Sequence, residues 1–409
     1  MPGPALASLR VVMVGPFGLR PKGTMSARAL PLARALVDGG HSVSLVLPPW
    51  SNPEDSGRCE DVAGVRILNA VLPTAPAPVF HAQLTQRLVE AVQAERPDVV
   101  HCFKPKAYSG LVQAALWSLR KAGRWRGRLV LDTDDWEGAG GWNDLEGYPW
   151  PLRQTFARQE NWGLRHADTL TVASRALETI AWSLGVPRER VVYLPNGAPP
   201  TPATGDGAAA RARWGLGNAP VVLLYTRFFE FGMGRLLDTW QAVAAAVPEA
   251  RLLVVGEGLF GEERELLVEV ARRSLGASIV YAGWPGDAAL PGVFAAADIA
   301  LYPLDDTLVN RTKSPAKLLQ LLGAGVPVVA DRVGQATVYV PHGRGGLLVA
   351  PGDTDAMAAA AVSLLRNHTR RADLVAGARA WVDAYYRWPA LAARLAAAYR
   401  GEPSAGRLP

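Results

Sequence analysis

At 409 residues the chain exceeds what one ordinary hydrophobic core organises, so two domains are expected. Apolar residues make up 49% and charged residues 20%, a globular balance, and no apolar run reaches the roughly 18 residues of a bilayer span. The net charge of +6 rests on 43 basic residues, only six of them lysine, scattered without a basic cluster interleaved with aromatics; this excludes a dedicated nucleic-acid surface and leaves an acidic ligand such as a nucleotide diphosphate compatible.

The opening run "MPGPALASLRVVMVGPFG" has no basic segment followed by a long apolar one, so no secretory signal is expected and a first strand begins near Leu9. Further strands are expected at "SVSLVLP", "VRILNA", "DVVHCF", "RLVLDT", "TLTVAS" and "VVYLPN", with amphipathic helices between them: the rhythm of a parallel α/β sheet. The glycine-bearing loop "GPFGLRPKGT", which includes Gly23, feeds the helix "MSARALPLARALVDGG" through Thr24 or Ser26. It is either an ordinary connection or a loop that brings backbone N–H groups, with Lys22 or Arg28, to an anion. Gly39-Gly40 closes that helix. Cys59 and Cys102 are too few for a disulfide framework or a zinc site; two structural thiols in a reducing cytoplasm fit best.

"DVVHCFKPKAYSG" sets His101 at a strand end with Lys104 and Lys106 in the loop beyond. Ligands bind at the C-terminal strand edges of open α/β sheets, so the lysines suit a phosphate or a sugar hydroxyl, and His101 is either an acceptor-side group or a satisfied structural residue. "LDTDDWEG" carries Asp132, Asp134 and Asp135 after a strand, where three readings stand: a polar strand end, an acceptor-binding group at Asp134 and Asp135, or a divalent-metal site. Residues 136–162 break the rhythm with four Trp, one Tyr and one Phe among glycines and acids: a loop pinned by aromatics, or a lip facing substrate or membrane.

The Pro- and Gly-rich stretch "NGAPPTPATGDGAAAR", residues 196–211, is the expected linker between two Rossmann-like halves, 1–197 and 198–385. A final helix within 386–409 is expected to pack back on the first half. Strands of the second half are expected at "PVVLLYT", "ARLLVVGEG", "SIVYAG", "IALYP", "VPVVAD" and "GLLVA". "GEGLFG" matches G-x-G-x-x-G, yet the next strand ends without the acid that holds ribose, so a tight turn is expected rather than a dinucleotide site. Arg227 follows a strand in "YTRFFEFGMGRLL", where a guanidinium fork suits phosphate. In "NRTKSPAKLLQLLGAGVPVVA", Ser314 reads as an N-cap with Pro315 at the first helical position. The N–H groups of Ala316 and Lys317, with the Lys317 ammonium, then face an anion. Gln320 shares that face, and Leu318, Leu321 and Leu322 lie on the buried one.

These stretches, with "GHSVSLV", "HADTLTVASRALETI", "VVYLPNG", "TRFF", "VVGEG", "YAGW", "FAAADIALYP" and "GAGVPVVA" in order over nearly the whole chain, resemble a family 4 glycosyltransferase. The resemblance implies the GT-B fold, two facing Rossmann-like domains with an active-site cleft between them. It also implies transfer of a sugar from a nucleotide-sugar donor with retention, no cofactor and no metal. Arg227 and Lys317 are then the catalytic cations, with Gly23, Gly283, Trp284, Ser314, Pro315, Ala316 and Gln320 on the donor side and His101, Lys104, Asp134 and Asp135 on the acceptor side. The acceptor is a glycan, a lipid-linked sugar or a metabolite, and the aromatic segment allows peripheral contact with the inner face of a membrane. Four positions depart from the family pattern: Phe103 for a second His, Gly232 for a second basic residue, Thr312 for an acid and Gln320 for a Glu. They keep a second reading open, a GT-B-like subunit that binds nucleotide or a partner without catalysis.

Overall fold

The computed structural model describes residues 8–20, 23–199, 205–402 and 408–409. The chain divides into one unit of Met1–Gly197, Thr312–Ser314 and Trp388–Pro409, and a second of Ala198–Arg311 and Pro315–Arg387.

The first unit holds eight strands: β1 (Arg10–Val14), β2 (Ser42–Leu47), β3 (Cys59–Val62), β4 (Val65–Asn69), β5 (Val99–Phe103), β6 (Arg128–Thr133), β7 (Thr169–Val172) and β8 (Val191–Tyr193). Their order is β3-β4-β2-β1-β5-β6-β7-β8, parallel throughout except for β3 against β4. Runs such as "VVMV" are apolar at every position because helices cover both faces. Val11 and Met13 face one core, while Val12 and Val14 face the other. The edge strand β3, sequence CEDV, lacks such a run and was not expected; it carries Cys59 exposed, whereas Cys102 is buried in β5. The C-terminal helix Trp388–Arg400 belongs to this unit and lays Trp388, Leu391 and Leu395 against the Leu30–Asp38 helix.

The second unit holds β9 (Val221–Tyr225), β10 (Arg251–Val255), β11 (Ile279–Gly283), β12 (Ile299–Tyr302), β13 (Val328–Asp331) and β14 (Leu347–Val349), in the parallel order β11-β10-β9-β12-β13-β14. Each unit is thus a doubly wound sheet. The winding direction reverses between β1 and β5 in the first and between β9 and β12 in the second, and the reversal opens a crevice at the C-terminal strand edge where ligands bind. The expected linker is described only in part: residues 200–204 lie outside the described residues, and Gly207–Arg213 is a helix capped by Asp206, whose carboxylate accepts the Ala209 N–H at 2.8 Å.

Leu395 is fully buried on the C-terminal helix. Leu395→Ala is expected to remove about 2–5 kcal/mol, read as a lower urea midpoint.

Candidate active site

In the second unit the site forms at the reversal point. The Tyr225 ring ends β9, and the Ala316–Ala324 helix follows β12 on the other side of the reversal. The Lys317 ammonium bridges them: it donates to the Thr226 carbonyl at 2.7 Å and sits 4.2 Å from the centroid of the Tyr225 ring. A cation in the first turn of its own helix is held there by a carbonyl and a π face. The next residue after Thr226 is Arg227, exposed, whose guanidinium makes no hydrogen bond or ion pair among the described residues. Gln320, one turn beyond Lys317, is half-buried and its amide is likewise uncommitted among the described residues. Trp284, 39% exposed, stands nearly parallel to Tyr225 with ring centroids 6.1 Å apart, and Gly283 before it has φ +63 with open space around it.

Ser314 does not cap the helix. Pro315 takes the N-cap position without a side-chain hydrogen bond. The Ser314 hydroxyl accepts the Asn196 N–H at 3.1 Å, and its carbonyl accepts Asn196 Nδ2 at 2.7 Å. The helix thus starts one residue later than expected, and the N–H groups of Ala316 and Lys317 lie in its first turn. The glycine-rich turn after β10 is no anion cradle. Its Gly258 N–H donates to Glu263 and its Phe260 N–H to Glu262, so carboxylates of the following helix already fill it. Gly256 there has φ +137, and a side chain would run into the Thr226 carbonyl that Lys317 uses. At the departure site Gly232, the backbone N–H donates to Asp305 at 2.8 Å, and Arg235 in the next turn is tied to Asp305 and Asp331.

In the first unit the C-terminal edge beside the β1/β5 reversal holds two charge networks. The inner one is buried. Arg28 donates to both carboxylate oxygens of Asp132 at 2.8 and 2.6 Å, and to Asn196 and the Leu194 carbonyl. Thr171 donates to Asp132 at 2.6 Å and stands 3.2 Å from His101 Nε2, while the Tyr399 hydroxyl lies 2.7 Å from His101 Nδ1. His101 is fully enclosed, and burial pushes its pKa down to about 4, so the ring is neutral at pH 7. The structure thus removes His101 from the acceptor side: its two ring nitrogens are already satisfied inside the sheet, and Phe103 beside it is buried too.

The outer network joins the expected acceptor-side residues. Lys104, with φ +56, pairs with Asp134 at 3.2 Å, Asp135 at 2.8 Å and Glu137 at 3.1 Å, and Lys106 pairs with Glu137 at 2.8 Å. Burial alone would discharge Lys104, yet the three carboxylates hold its pKa well above the ordinary value. Asp134 is pushed up to about 6 by burial, against the pull of Lys104, and it accepts the Thr24 hydroxyl at 3.1 Å. Asp135 is held below its ordinary value: burial opposes ionisation, but Lys104 outweighs it. Gly23 lies exposed next to Thr24, with open space where a side chain would stand. Gly23 belongs to the first unit and precedes Thr24, whose hydroxyl donates to Asp134. Asp132, Asp134 and Asp135 do not form a common cation site, because Arg28 and Lys104 already neutralise them. Among the described residues no group of three or more His, Cys, Asp or Glu is arranged to hold a metal.

Residues 23–197 match the family described as glycosyl transferase 4-like domain, and residues 219–367 match glycosyl transferases group 1. The chain belongs to the family 4 glycosyltransferases. This glycosyltransferase is 25% identical to the GDP-mannose-dependent alpha-(1-6)-phosphatidylinositol monomannoside mannosyltransferase of Mycobacterium tuberculosis, over 91% of this chain and 93% of that protein. It is also 25% identical to the phosphatidyl-myo-inositol mannosyltransferase of Mycobacterium leprae, over 97% and 98%. Among solved structures, sucrose-phosphate synthase from Thermosynechococcus elongatus superposes with a TM-score of 0.72 at 22% identity, over 96% of this chain and 98% of that one. Anabaena HepE in complex with UDP and glucose does so with a TM-score of 0.72 at 18% identity, over 96% and 99%. The fold is GT-B.

For this family 4 glycosyltransferase, sequence reasoning singled out Lys317, Arg227, Lys104, Asp134 and Asp135 but missed Glu137 and Glu160, which lie within the aromatic-rich segment. Glu160 is fully buried, and the Glu137 N–H donates to it at 3.3 Å. Burial first, then the Glu137 charge, pushes its carboxyl well above the ordinary value of 4.5. The stability contributed by the protonated form is complete below that value and is lost as pH rises through the raised one. Glu160→Gln is expected to flatten the fall in stability above about pH 5, measured by chemical denaturation across pH.

Proposed function

We propose that this glycosyltransferase moves mannose from GDP-mannose to a lipid-linked acceptor, with retention and without a bound metal. The observation that carries the donor half is the Lys317 ammonium fixed on the Thr226 carbonyl, next to the uncommitted Arg227. Two cations and the first-turn N–H groups of a nine-residue helix suit a diphosphate. Gln320 hydrogen-bonds a ribose hydroxyl in place of a carboxylate, and the Trp284 face borders the base. GDP-mannose is chosen because the relatives that match over nine-tenths of the chain carry that donor or a mannosyl transfer in their names.

In the proposed reaction the bond between sugar C1 and the β-phosphate oxygen breaks and negative charge grows on the departing diphosphate. Lys317, Arg227 and the helix amides stabilise that charge without reorganising. The acceptor oxygen bonds to C1 on the same face, and its proton passes to the leaving phosphate oxygen, so no side-chain base is needed. In this reading Asp134, whose carboxylate accepts the Thr24 hydroxyl, orients the acceptor hydroxyl. A lipid-linked acceptor and peripheral contact with a membrane are supported by the exposed apolar side chains of the aromatic segment, Leu145, Leu152 and Trp150, the last 64% exposed.

Radiolabelled transfer from GDP-mannose to phosphatidylinositol-based acceptors tests this reading. Arg227→Ala is expected to lower kcat roughly 10²-fold, with the fold unchanged because the side chain is exposed and makes no hydrogen bond or ion pair among the described residues. Binding of GDP-mannose without turnover on any acceptor favours the non-catalytic alternative. Turnover is expected to survive EDTA; loss that added magnesium restores would overturn metal independence and reopen the role of the aspartates.

A further inference from the structure

The edge of the first sheet opposite the candidate site carries a second concentration of charge. The chain enters β5 through "ERPD" and β6 through "RWRGR", and both turns border one open cavity of about 500 Å³. Pro97 and Trp125 are among its lining, and the Trp125 ring packs so closely on Gly127 that a Cβ there would lie 2.4 Å from it. Arg96, Arg124 and Arg126 line it. All three are exposed, and none of their guanidinium groups makes a hydrogen bond or ion pair among the described residues. Asp98, the acid of the lining, is already engaged: it accepts the Arg10 N–H at 2.8 Å and pairs with the Arg10 guanidinium at 3.5 Å. Elsewhere on this edge arginines find partners, Arg120 with Asp168 and Arg128 with Thr169.

Three guanidinium groups around one cavity repel one another. Arg96 also adopts a left-handed backbone, φ +46, uncommon for a non-glycine residue and further disfavoured before proline. Basic residues past helix ends are a common complement to the macrodipole, and the Val79–Ala94 and Ala107–Lys121 helices both end here. In the Ala107–Lys121 helix that role is met by Arg120 and Lys121 in the last turn; the Val79–Ala94 helix has no basic residue there, so Arg96 serves its C-terminal end, while Arg124 and Arg126 are left without such a role. A planar fork offers paired donors to phosphate oxygens.

We propose that this cavity is a second anion site, for a ligand carrying two neighbouring phosphates or a phosphodiester headgroup. Strands β5 and β6 are five and six residues long, which sets it roughly 17–20 Å from the Lys104–Asp134 edge, so it is separate from the acceptor side.

Two probes distinguish a soluble source from a lipid one: sodium pyrophosphate by calorimetry, and vesicles containing phosphatidylglycerol by co-sedimentation. The Arg227→Ala chain serves as background so that the donor cations do not dominate the pyrophosphate signal. In that background one probe or both are expected to bind saturably, and Arg124→Ala with Arg126→Ala is expected to weaken that binding at least roughly tenfold while leaving the melting temperature in place. Arg124→Lys with Arg126→Lys, which keeps charge but loses the fork, is expected to fall between. Binding of neither probe, or binding that the alanine pair leaves unchanged, overturns the proposal.

Discussion

The Arg28–Asp132 ion pair is the contact on which the first unit is organised. Both residues are buried and bonded through two parallel hydrogen bonds, and breaking such a pair by removing one partner typically costs about 3–5 kcal/mol. From Asp132 the network runs through Thr171 to His101 and Tyr399, joining β5, β6, β7 and the C-terminal helix. From Arg28 it runs through Asn196 to Ser314. The ion pair between a helix and β6 is thus tied, through Asn196, to Ser314 of the same unit. That placement explains why Ser314 gives up the local role of helix cap: Asn196 offers its hydroxyl and carbonyl two hydrogen bonds together.

The two charge networks of this unit differ in what they leave over. The inner one closes on itself, with each carboxylate oxygen of Asp132 met by a donor and a neutral His101 between two hydroxyls. The outer one has an excess of acid: Lys104 and Lys106 face Asp134, Asp135, Glu137 and Glu160. The surplus shows as raised carboxyl pKa values: burial, then the Glu137 charge, pushes Glu160 well above its ordinary value, and burial lifts Asp134 to about 6 against the pull of Lys104. Asp134 therefore titrates closer to neutrality than its neighbour Asp135, which Lys104 holds below the ordinary value.

Much of the architecture was readable because parallel strands are buried on both faces and announce themselves as unbroken apolar runs, as in "VVLLY" and "RLLVV". β3 escaped because CEDV alternates and lies at an edge. The Lys317 turn was readable because Pro, Lys and three buried leucines fall within one stretch. His101 was not, since the partner that encloses it, Tyr399, lies 298 residues away and only the folded chain brings it near. The arginine-lined cavity was missed for a similar reason. "RWRGR" is short enough to pass as scattered charge until Arg96, from a different turn, joins it.

The helix that carries Arg28 begins with a π-helical turn, Met25–Ala29, before it settles into the α-helix Leu30–Asp38. A π turn accommodates one residue more than the α-helix would over the same rise. Closing it into regular α-helix would rotate Thr24, just before the turn, by about 100° relative to Leu30 and Leu32 after it, moving either its hydroxyl off Asp134 or the leucines out of their core. The extra residue thus works as a key that sets the angular phase between two demands. A chain one residue shorter in this segment would have to abandon either that hydrogen bond or its hydrophobic seam.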